Sequence, residues 1–324
     1  MFAHQDLHPC AYTDEIGPDE DGIGYSLRLA SDNAIAFNQL AENLASPGHL
    51  YLPYAKSSEL AFMFGATPQR LSRAIVHRYF SDGSTIADYI GHTFYRPQHL
   101  RQTRPQLCPN CLVSEHRALA SWSLTMMCCC TSCGTMLIDH CACNRLISWR
   151  RIDLETCRCN RIFGPEMLGA RAPTAGALAI CEQIEYLLGG AHFKLRRPDE
   201  TVLCLFDEVS LDTFLRVVWA FGVLNDEQSA MHPKTANAIP STFETLLILE
   251  RAYQRMGELV CSRRFPITKI WRQSLELLGR EVTRAADQRI VQSILQRLDA
   301  SNLRRRRRRS EAHTVQLPLF GDVE

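Results

Sequence analysis

The spacing of the cysteines between residues 108 and 159 constrains this chain of 324 residues more than any other feature. Cys108 and Cys111 form a C-x2-C pair, and after 18 further residues Cys130 and Cys133 form another. Each C-x2-C turn presents two sulfurs to one tetrahedral ion, and two such turns close a four-thiolate site. The spacing therefore predicts a zinc-ribbon site formed by these four cysteines.

Two further cysteines, Cys128 and Cys129, directly precede Cys130. Only Cys130 has the two-residue gap to Cys133, so we expect Cys128 and Cys129 to be core thiols. Either one remains an alternative ligand if the register differs. The scattered thiols are expected to be small buried apolar side chains: Cys10, Cys181, Cys204 and Cys261.

A second set of cysteines follows, with Cys141-Ala-Cys143 and, after 13 residues, Cys157-Arg-Cys159. These pairs predict a second four-thiolate site, although C-x-C spacing is less typical of zinc. The alternatives are His140 paired with Cys143, plain structural thiols, or an iron–sulfur cluster. A four-thiolate zinc has no open coordination position, so we expect two structural Zn²⁺ ions with no catalytic role.

The composition indicates a folded cytoplasmic chain. Apolar residues make up 46% of it, no run approaches the roughly 18 apolar residues of a membrane span, and the N-terminus has no signal-peptide pattern. Reduced thiols in that compartment favour metal binding over disulfides. The formal net charge is only +1, but 32 Arg against 4 Lys suits a nucleic-acid binder, as well as a GC-rich genome.

Motifs of common enzymes are absent from the sequence. It contains no G-x-x-x-x-G-K-[ST], no G-x-S-x-G, no H-E-x-x-H and no H-x-E of a nucleoside deaminase. The segment 202–208 ends in two acidic residues, but without a phosphate loop it predicts an ordinary element. The sequence therefore predicts a protein that is not an enzyme.

Apolar periodicity predicts a mainly α fold, with helix-turn-helix-like regions flanking a compact zinc insert that has little regular structure. Helical patterns occupy 34–44, 57–80, 174–188, 209–224, 241–260, 267–279 and 281–298, and no internal repeat is evident. We expect five regions: a flexible lead-in (1–24), a helical N-terminal region (25–100), a double zinc-binding region (101–165), a C-terminal helical domain (166–300) and a disordered Arg-rich tail (301–324).

The segment 57–76 has the small, apolar and turn residues of a helix-turn-helix around Gly65. Its second helix would present four side chains to a DNA groove: Thr67, Gln69, Arg70 and Arg73. The same pattern also occurs in helical cores and in protein-docking modules.

The tail carries six consecutive arginines: Arg304, Arg305, Arg306, Arg307, Arg308 and Arg309. Such a run can neutralise several phosphates and give sequence-independent, salt-sensitive affinity for DNA. A solvated tail without a specific role is the alternative.

These motifs, in this order, resemble the TniQ/TnsD family of transposon target-selection proteins. The resemblance rests on YSLRLASDN at 25–33, LA-x-x-x-G at 60–65, CPNCL at 108–112, Trp122, CTSCGTMLIDHCACN at 130–144 and CRC at 157–159. The family usually has Cys-x-x-His where this chain has Cys130-x-x-Cys133. The C-x-C pairs resemble those of some members, including TniQ proteins that work with CRISPR complexes.

The resemblance implies an adaptor that binds target DNA or a target-bound, CRISPR-type effector complex. It would recruit an AAA+ ATPase, TniB- or TnsC-like, which signals to a transposase. Some members dimerise, which leaves a homodimer open. The alternative function is a zinc-dependent helix-turn-helix transcription regulator that uses residues 57–76 on an operator.

Overall fold

The computed structural model describes residues 7–44, 51–167, 172–189, 202–224, 239–261 and 270–314, with the backbone alone at residues 43 and 301–314. The helices in these residues are α1 (Gly22–Asp32), α2 (Phe37–Leu44), α3 (Ser57–Phe64), α4 (Pro68–Ala74), α5 (Pro109–Glu115), α6 (Ala175–Leu188), α7 (Leu211–Gly222), α8 (Thr242–Cys261), α9 (Arg272–Glu281) and α10 (Ala285–Thr314). None of them combines the length and apolar character needed to span a bilayer. The prediction of a mainly helical chain is confirmed in outline.

A three-stranded antiparallel sheet follows α4, where the sequence analysis predicted only helix. Its strands are β1 (His77–Ser81), β2 (Ser84–Tyr89) and β3 (His92–Phe94), in that order. Asp82 and Gly83, with φ of 49° and 76°, form the two-residue turn between β1 and β2. Such turns match the right-handed twist of paired strands, so this short Asp-Gly signal prevails over the helical pattern.

Residues 10–16 pack against the α3–α4 segment, so the prediction of a flexible lead-in is wrong for this part. The backbone N–H groups of Cys10 and Asp14 donate to the carbonyls of Met63 and Phe64, at 2.8 and 3.0 Å. Ile16 is buried in the core. The acidic character of the segment indicated mobility, but backbone bonding and one buried side chain hold it in place.

Asp21 connects α1 to the sheet and to the cysteine-rich insert. Its carboxylate caps α1 by accepting hydrogen bonds from the N–H groups of Ile23 and Gly24, each at 2.9 Å. It also accepts from the hydroxyls of Tyr89 (2.6 Å) and Ser123 (2.8 Å). Burial raises the pKa of Asp21, and these four donors offset the cost of desolvation.

The insert and the C-terminal helices share one continuous apolar core. Buried polar contacts also join them, because Asp139 of the insert accepts from the N–H of Thr242 in α8 at 2.9 Å. The guanidinium of Arg101 lies 3.6 Å from the same carboxylate. Glu185 of α6 accepts a 2.8 Å hydrogen bond from Ser121. The two regions that the sequence analysis separates at residue 165, 101–165 and 166–300, are therefore in direct contact.

Two C-terminal helices have capping residues at their ends. Ser241 and Glu244 form the reciprocal capping box of α8, with hydrogen bonds of 2.7 and 3.2 Å. Gly189, with a φ of 77°, ends α6.

Helix α10 continues through the six arginines and ends at Thr314. The prediction of a disordered tail is therefore wrong for the backbone of residues 301–314, and residues 315–324 lie outside the described part. Arginine is a good helix former, and extending an existing helix adds one hydrogen bond per residue. Both effects offset the repulsion between neighbouring guanidinium groups.

Short strands β4 (Cys129–Cys130) and β5 (Thr135–Met136) form the hairpin of the insert. They are the only strands among the described residues between 101 and 165, where 3-10 turns and isolated bridges make up much of the rest. This agrees with the expected lack of regular structure.

Candidate functional site

The first thiol cluster lies between the start of α5 and the β4–β5 hairpin. Cys108 is the N-cap residue of α5, and Cys111 lies one turn further on. Cys130 lies in β4 and Cys133 in the turn to β5. The four sulfurs lie within 4.8 Å of one another, with Cys111 Sγ 3.5 Å from that of Cys130 and 3.2 Å from that of Cys133. The structure thus brings the predicted ligands together.

The geometry and the charges of this cluster suit a metal ion. With metal–sulfur bonds of about 2.3 Å, the sulfurs of a tetrahedral site lie about 3.8 Å apart. Hydrogen bonds from Cys111 and Cys130 lower the pKa of Cys108 to about 2, whereas the interaction with Cys108 raises that of Cys111. Four thiols this close cannot all ionise unless a cation lies among them. The cluster could therefore hold a metal ion.

The second cluster contains the other four predicted cysteines: Cys141, Cys143, Cys157 and Cys159. The sulfurs of Cys141 and Cys159 are 3.7 Å apart, and those of Cys143 and Cys157 are 3.9 Å apart. His140 does not belong to this group; its Nδ1 lies 2.8 Å from Asp139 Oδ1. The geometry therefore favours four thiolates over the His140 alternative.

The two C-x-C segments fold into the same turn, a repeat that the sequence analysis missed. Asn144 and Asn160 follow the second cysteine of each segment, and both have left-handed backbones, with φ of 62° and 64°. Their N–H groups donate to the carbonyls of Cys141 and Cys157, each at 2.8 Å. The shared letters C-x-C-N-R, sixteen residues apart, are the signal that would have predicted this repeat.

The turns also close in the same way. The N–H of Cys141 donates to the carbonyl of Arg145 at 2.9 Å, and the N–H of Cys157 donates to that of Arg161 at 2.8 Å. Each arginine is exposed. The two segments therefore place an arginine at equivalent positions beside the second cluster.

A third group of thiols lies in the core and was not predicted. Cys128 and Cys129 lie close to Cys181 of α6, with sulfurs within 4.8 Å of one another. All three are buried, as predicted for core thiols, although the group could also hold a metal ion. The prediction of burial is wrong for the other scattered thiols: Cys204 and Cys261 are exposed and Cys10 is half-buried.

Helices α3 and α4 meet at the predicted turn. Gly65 ends α3 with a φ of 81°, and α4 begins three residues later. The four predicted DNA-contacting side chains are all exposed: Thr67, Gln69, Arg70 and Arg73. Entry of α4 into a DNA groove stays a prediction.

A carboxylate covers the start of α4. Glu15 accepts hydrogen bonds from the N–H of Thr67, at 2.9 Å, and from its hydroxyl, at 2.6 Å. Burial opposes ionisation of Glu15, but these bonds and the charge of Arg70 lower its pKa. The negative charge makes the N-terminus of α4 unsuitable for phosphate, so a nucleic acid would contact the arginines along the helix instead.

The hairpin of β1 and β2 extends the surface beside α4. The side chains of Arg78 and Phe80, two residues apart in β1, both lie on its exposed face, and Phe80 is 75% exposed. The predicted phosphate contacts at residues 304–309 lie in α10, but their side chains are outside the described part.

Comparison with known families agrees with this arrangement. The model of the TniQ family matches residues 11–137, from the packed N-terminal segment through the first thiol cluster. The second cluster and helices α6 to α10 lie beyond the match. No curated protein matched the sequence. Residues 11–137 of the chain are therefore similar to the TniQ family.

Proposed function

We propose that this chain selects the target site in transposition. It binds target DNA or a target-bound, CRISPR-type effector complex and recruits a TniB- or TnsC-like AAA+ ATPase that acts on the transposase. The observation that carries the proposal is the TniQ match over residues 11–137, which joins the first thiol cluster to the exposed α3–α4 pair. Catalysis belongs to the partners, and the chain itself is an adaptor rather than an enzyme. It acts in the cytoplasm, and a homodimer, the state of some members of the family, stays open.

Each four-thiolate cluster holds one structural Zn²⁺. The sulfur–sulfur distances of 3.2 to 3.9 Å suit four ligands on a single tetrahedral ion. In a polynuclear iron–sulfur cluster the thiolates bind different irons, which sets them further apart. The eight cysteines would leave no open position on either ion, so the metals stabilise the insert.

Helix α4 and the arginines of α10 supply the DNA contacts. Arg70 and Arg73 lie exposed three residues apart, so both side chains leave α4 from one side of the helix. The arginines at 304–309 add sequence-independent attraction to the phosphates. Such contacts orient the chain on DNA without fixing its sequence preference.

The DNA contact is tested with the full-length double variant Arg70→Gln/Arg73→Gln. The matched control is Arg289→Gln, which removes an exposed guanidinium that lies 3.6 Å from Glu208. Loss of two phosphate contacts should lower the salt slope of duplex binding by about 1.8, at roughly 0.9 per contact, and leave the control unchanged. Equal slopes for the double variant and wild type would refute the role of α4.

The adaptor function is tested by purification of the tagged chain from its source cells, with mass spectrometry of the bound proteins. Recovery of an AAA+ ATPase that is absent from a tag-only control supports the adaptor. Tight binding to one operator, with DNA as the sole partner, would instead support the transcription regulator.

A further inference from the structure

The second thiol cluster has an approximate two-fold symmetry. Its two turns are 139–147 and 155–163, and equivalent cysteines are sixteen residues apart. A two-fold rotation that exchanges the turns also exchanges the sulfur pairs 141–159 and 143–157. These pairs have almost the same separations, 3.7 and 3.9 Å, as the rotation requires.

The same rotation relates side chains on the surface. Arg145 and Arg161 follow the left-handed asparagines, and both are exposed. The next residues, Leu146 and Ile162, are 44% and 62% exposed. Leu146 forms an isolated β-bridge with His140, and Ile162 forms the equivalent bridge with Thr156. The surface of the two turns, here called the twin-turn surface, therefore presents two arginines and two aliphatic side chains in equivalent positions.

The cations of the twin-turn surface have no carboxylate partner among the described residues. Arg145, Arg158 and Arg161 form none of the ion pairs found there. The neighbouring carboxylates are already engaged: Asp139 with Arg101, His140 and Thr242, and Glu155 with His116. The charge of these guanidinium groups is thus available to an anion outside the chain.

A cleft extends this cationic surface towards the N-terminal helices. It has a volume of about 380 Å³ and is lined by Arg150 and Arg158 together with Ser31 and Asn38. Guanidinium, hydroxyl and amide groups are typical donors to phosphate oxygens. The cleft therefore has the same ligand chemistry as the two exposed arginines.

We infer that the twin-turn surface binds the backbone of duplex nucleic acid, with Arg145 and Arg161 on two separate phosphates. A duplex backbone has local two-fold axes, so a symmetric pair of guanidinium groups matches phosphates of opposite strands. Proteins with two-fold symmetry use the same correspondence on DNA. Leu146 and Ile162 pack against the adjacent sugars. The inference rests on the DNA binding in the proposed function and adds a contact surface outside the family match.

The test uses the full-length variant Arg145→Gln/Arg161→Gln, with Arg289→Gln as the control and Arg145→Lys/Arg161→Lys as the conservative pair. A four-thiolate zinc carries a net charge of −2 that arginines also offset, so zinc per chain is measured for every variant. Binding to a fluorescent duplex of arbitrary sequence is followed from about 50 to 200 mM salt, a range in which phosphate contacts dominate the salt dependence.

The Gln pair should bind every duplex several-fold more weakly, with a salt slope lower by about 1.8. The Lys pair should retain the slope, since lysine also binds phosphate as a point charge. An unchanged slope in a Gln pair that keeps its zinc would overturn the inference, as would a wild-type chain that binds no duplex. The inference would also be overturned if the Gln pair bound DNA as wild type does but no longer recovered the ATPase, because the surface would then be a protein interface. The duplex-binding results alone do not decide whether wild type recruits the ATPase, so the proposed function is judged separately by the purification experiment.

Discussion

Replacement of Cys111 by serine should remove one of two zinc ions and destabilise the insert. Cys111 has the closest sulfur contacts of the first cluster, at 3.5 and 3.2 Å, and it is 3% exposed. A serine hydroxyl is not ionised at neutral pH and is a poor zinc ligand. The variant should therefore bind one zinc per chain where wild type binds two.

The loss of stability follows from the free energy of zinc binding. Structural zinc contributes roughly 10–16 kcal/mol in small zinc-binding peptides, which equals or exceeds the whole stability of a typical domain. Even if half of this is retained by the three remaining thiolates, the loss exceeds about 5 kcal/mol. At about 2–4 °C per kcal/mol, Tm should fall by ten degrees or more.

The assay measures zinc per chain by mass spectrometry of the metal and Tm by circular dichroism. The control is Cys128→Ser, the same chemical change at a fully buried thiol outside the four-thiolate set. It should keep two zinc ions. Its free energy of unfolding should fall by only roughly 1–3 kcal/mol, which is the cost of burying a hydroxyl group. Two zinc ions and an unchanged Tm in Cys111→Ser would refute the reasoning. Loss of one zinc ion in Cys128→Ser would show that the ligands follow a different register.

Two further changes test the fold around this site. Burial raises the pKa of Glu185 to about 7, so its ionisation weakens the folded state as pH rises from about 4.5 to 7. Relative to wild type, Glu185→Gln should therefore gain about 2–3 kcal/mol in free energy of unfolding as the pH rises from 5 to 8. If the difference in free energy of unfolding between the two proteins did not change with pH, the raised pKa would be contradicted. Gly65→Ala should cost about 1–3 kcal/mol in urea unfolding, because φ is 81° and the new Cβ would lie 2.8 Å from Thr13. Gly257→Ala, in α8 with no atom within 4 Å of its new Cβ, should instead stabilise by up to about 1 kcal/mol; equal effects at the two positions would exclude strain at Gly65.

The sequence predicted what depends on local spacing. Both four-cysteine groups and the turn at Gly65 involve residues whose geometry is set within a few positions of the chain. The pairing of the two C-x2-C turns could be predicted because two such turns are needed to complete the ligands of one ion. Such features follow from backbone conformation and ligand chemistry with little influence from the rest of the fold.

Contacts between distant segments could not be predicted in this way. Cys181 joins Cys128 only because α6 packs on the insert, and no spacing relates residues 53 positions apart. The acidic residues of the lead-in suggested mobility, whereas Glu15 accepts from the N–H of Thr67 and Asp21 from the hydroxyl of Tyr89, groups that lie close to them only in the folded chain. The sheet is different, since Asp82-Gly83 was a usable signal that the helical pattern obscured.

The contacts of Asp139 connect the second cluster to the helical half of the chain. Asp139 lies two residues before Cys141, and its carboxylate accepts from the first N–H of α8 while Arg101 lies beside it. Arg101 in turn donates to the carbonyl of Pro240 at 2.5 Å, just before α8. A cut at residue 165 would leave the buried Arg101 guanidinium without that carbonyl and Asp139 without the N–H of Thr242. Since each such loss costs about 1–3 kcal/mol, the cysteine-rich insert and the C-terminal helices should unfold together. Asp139 and Arg101 therefore couple the second thiol cluster to the start of α8.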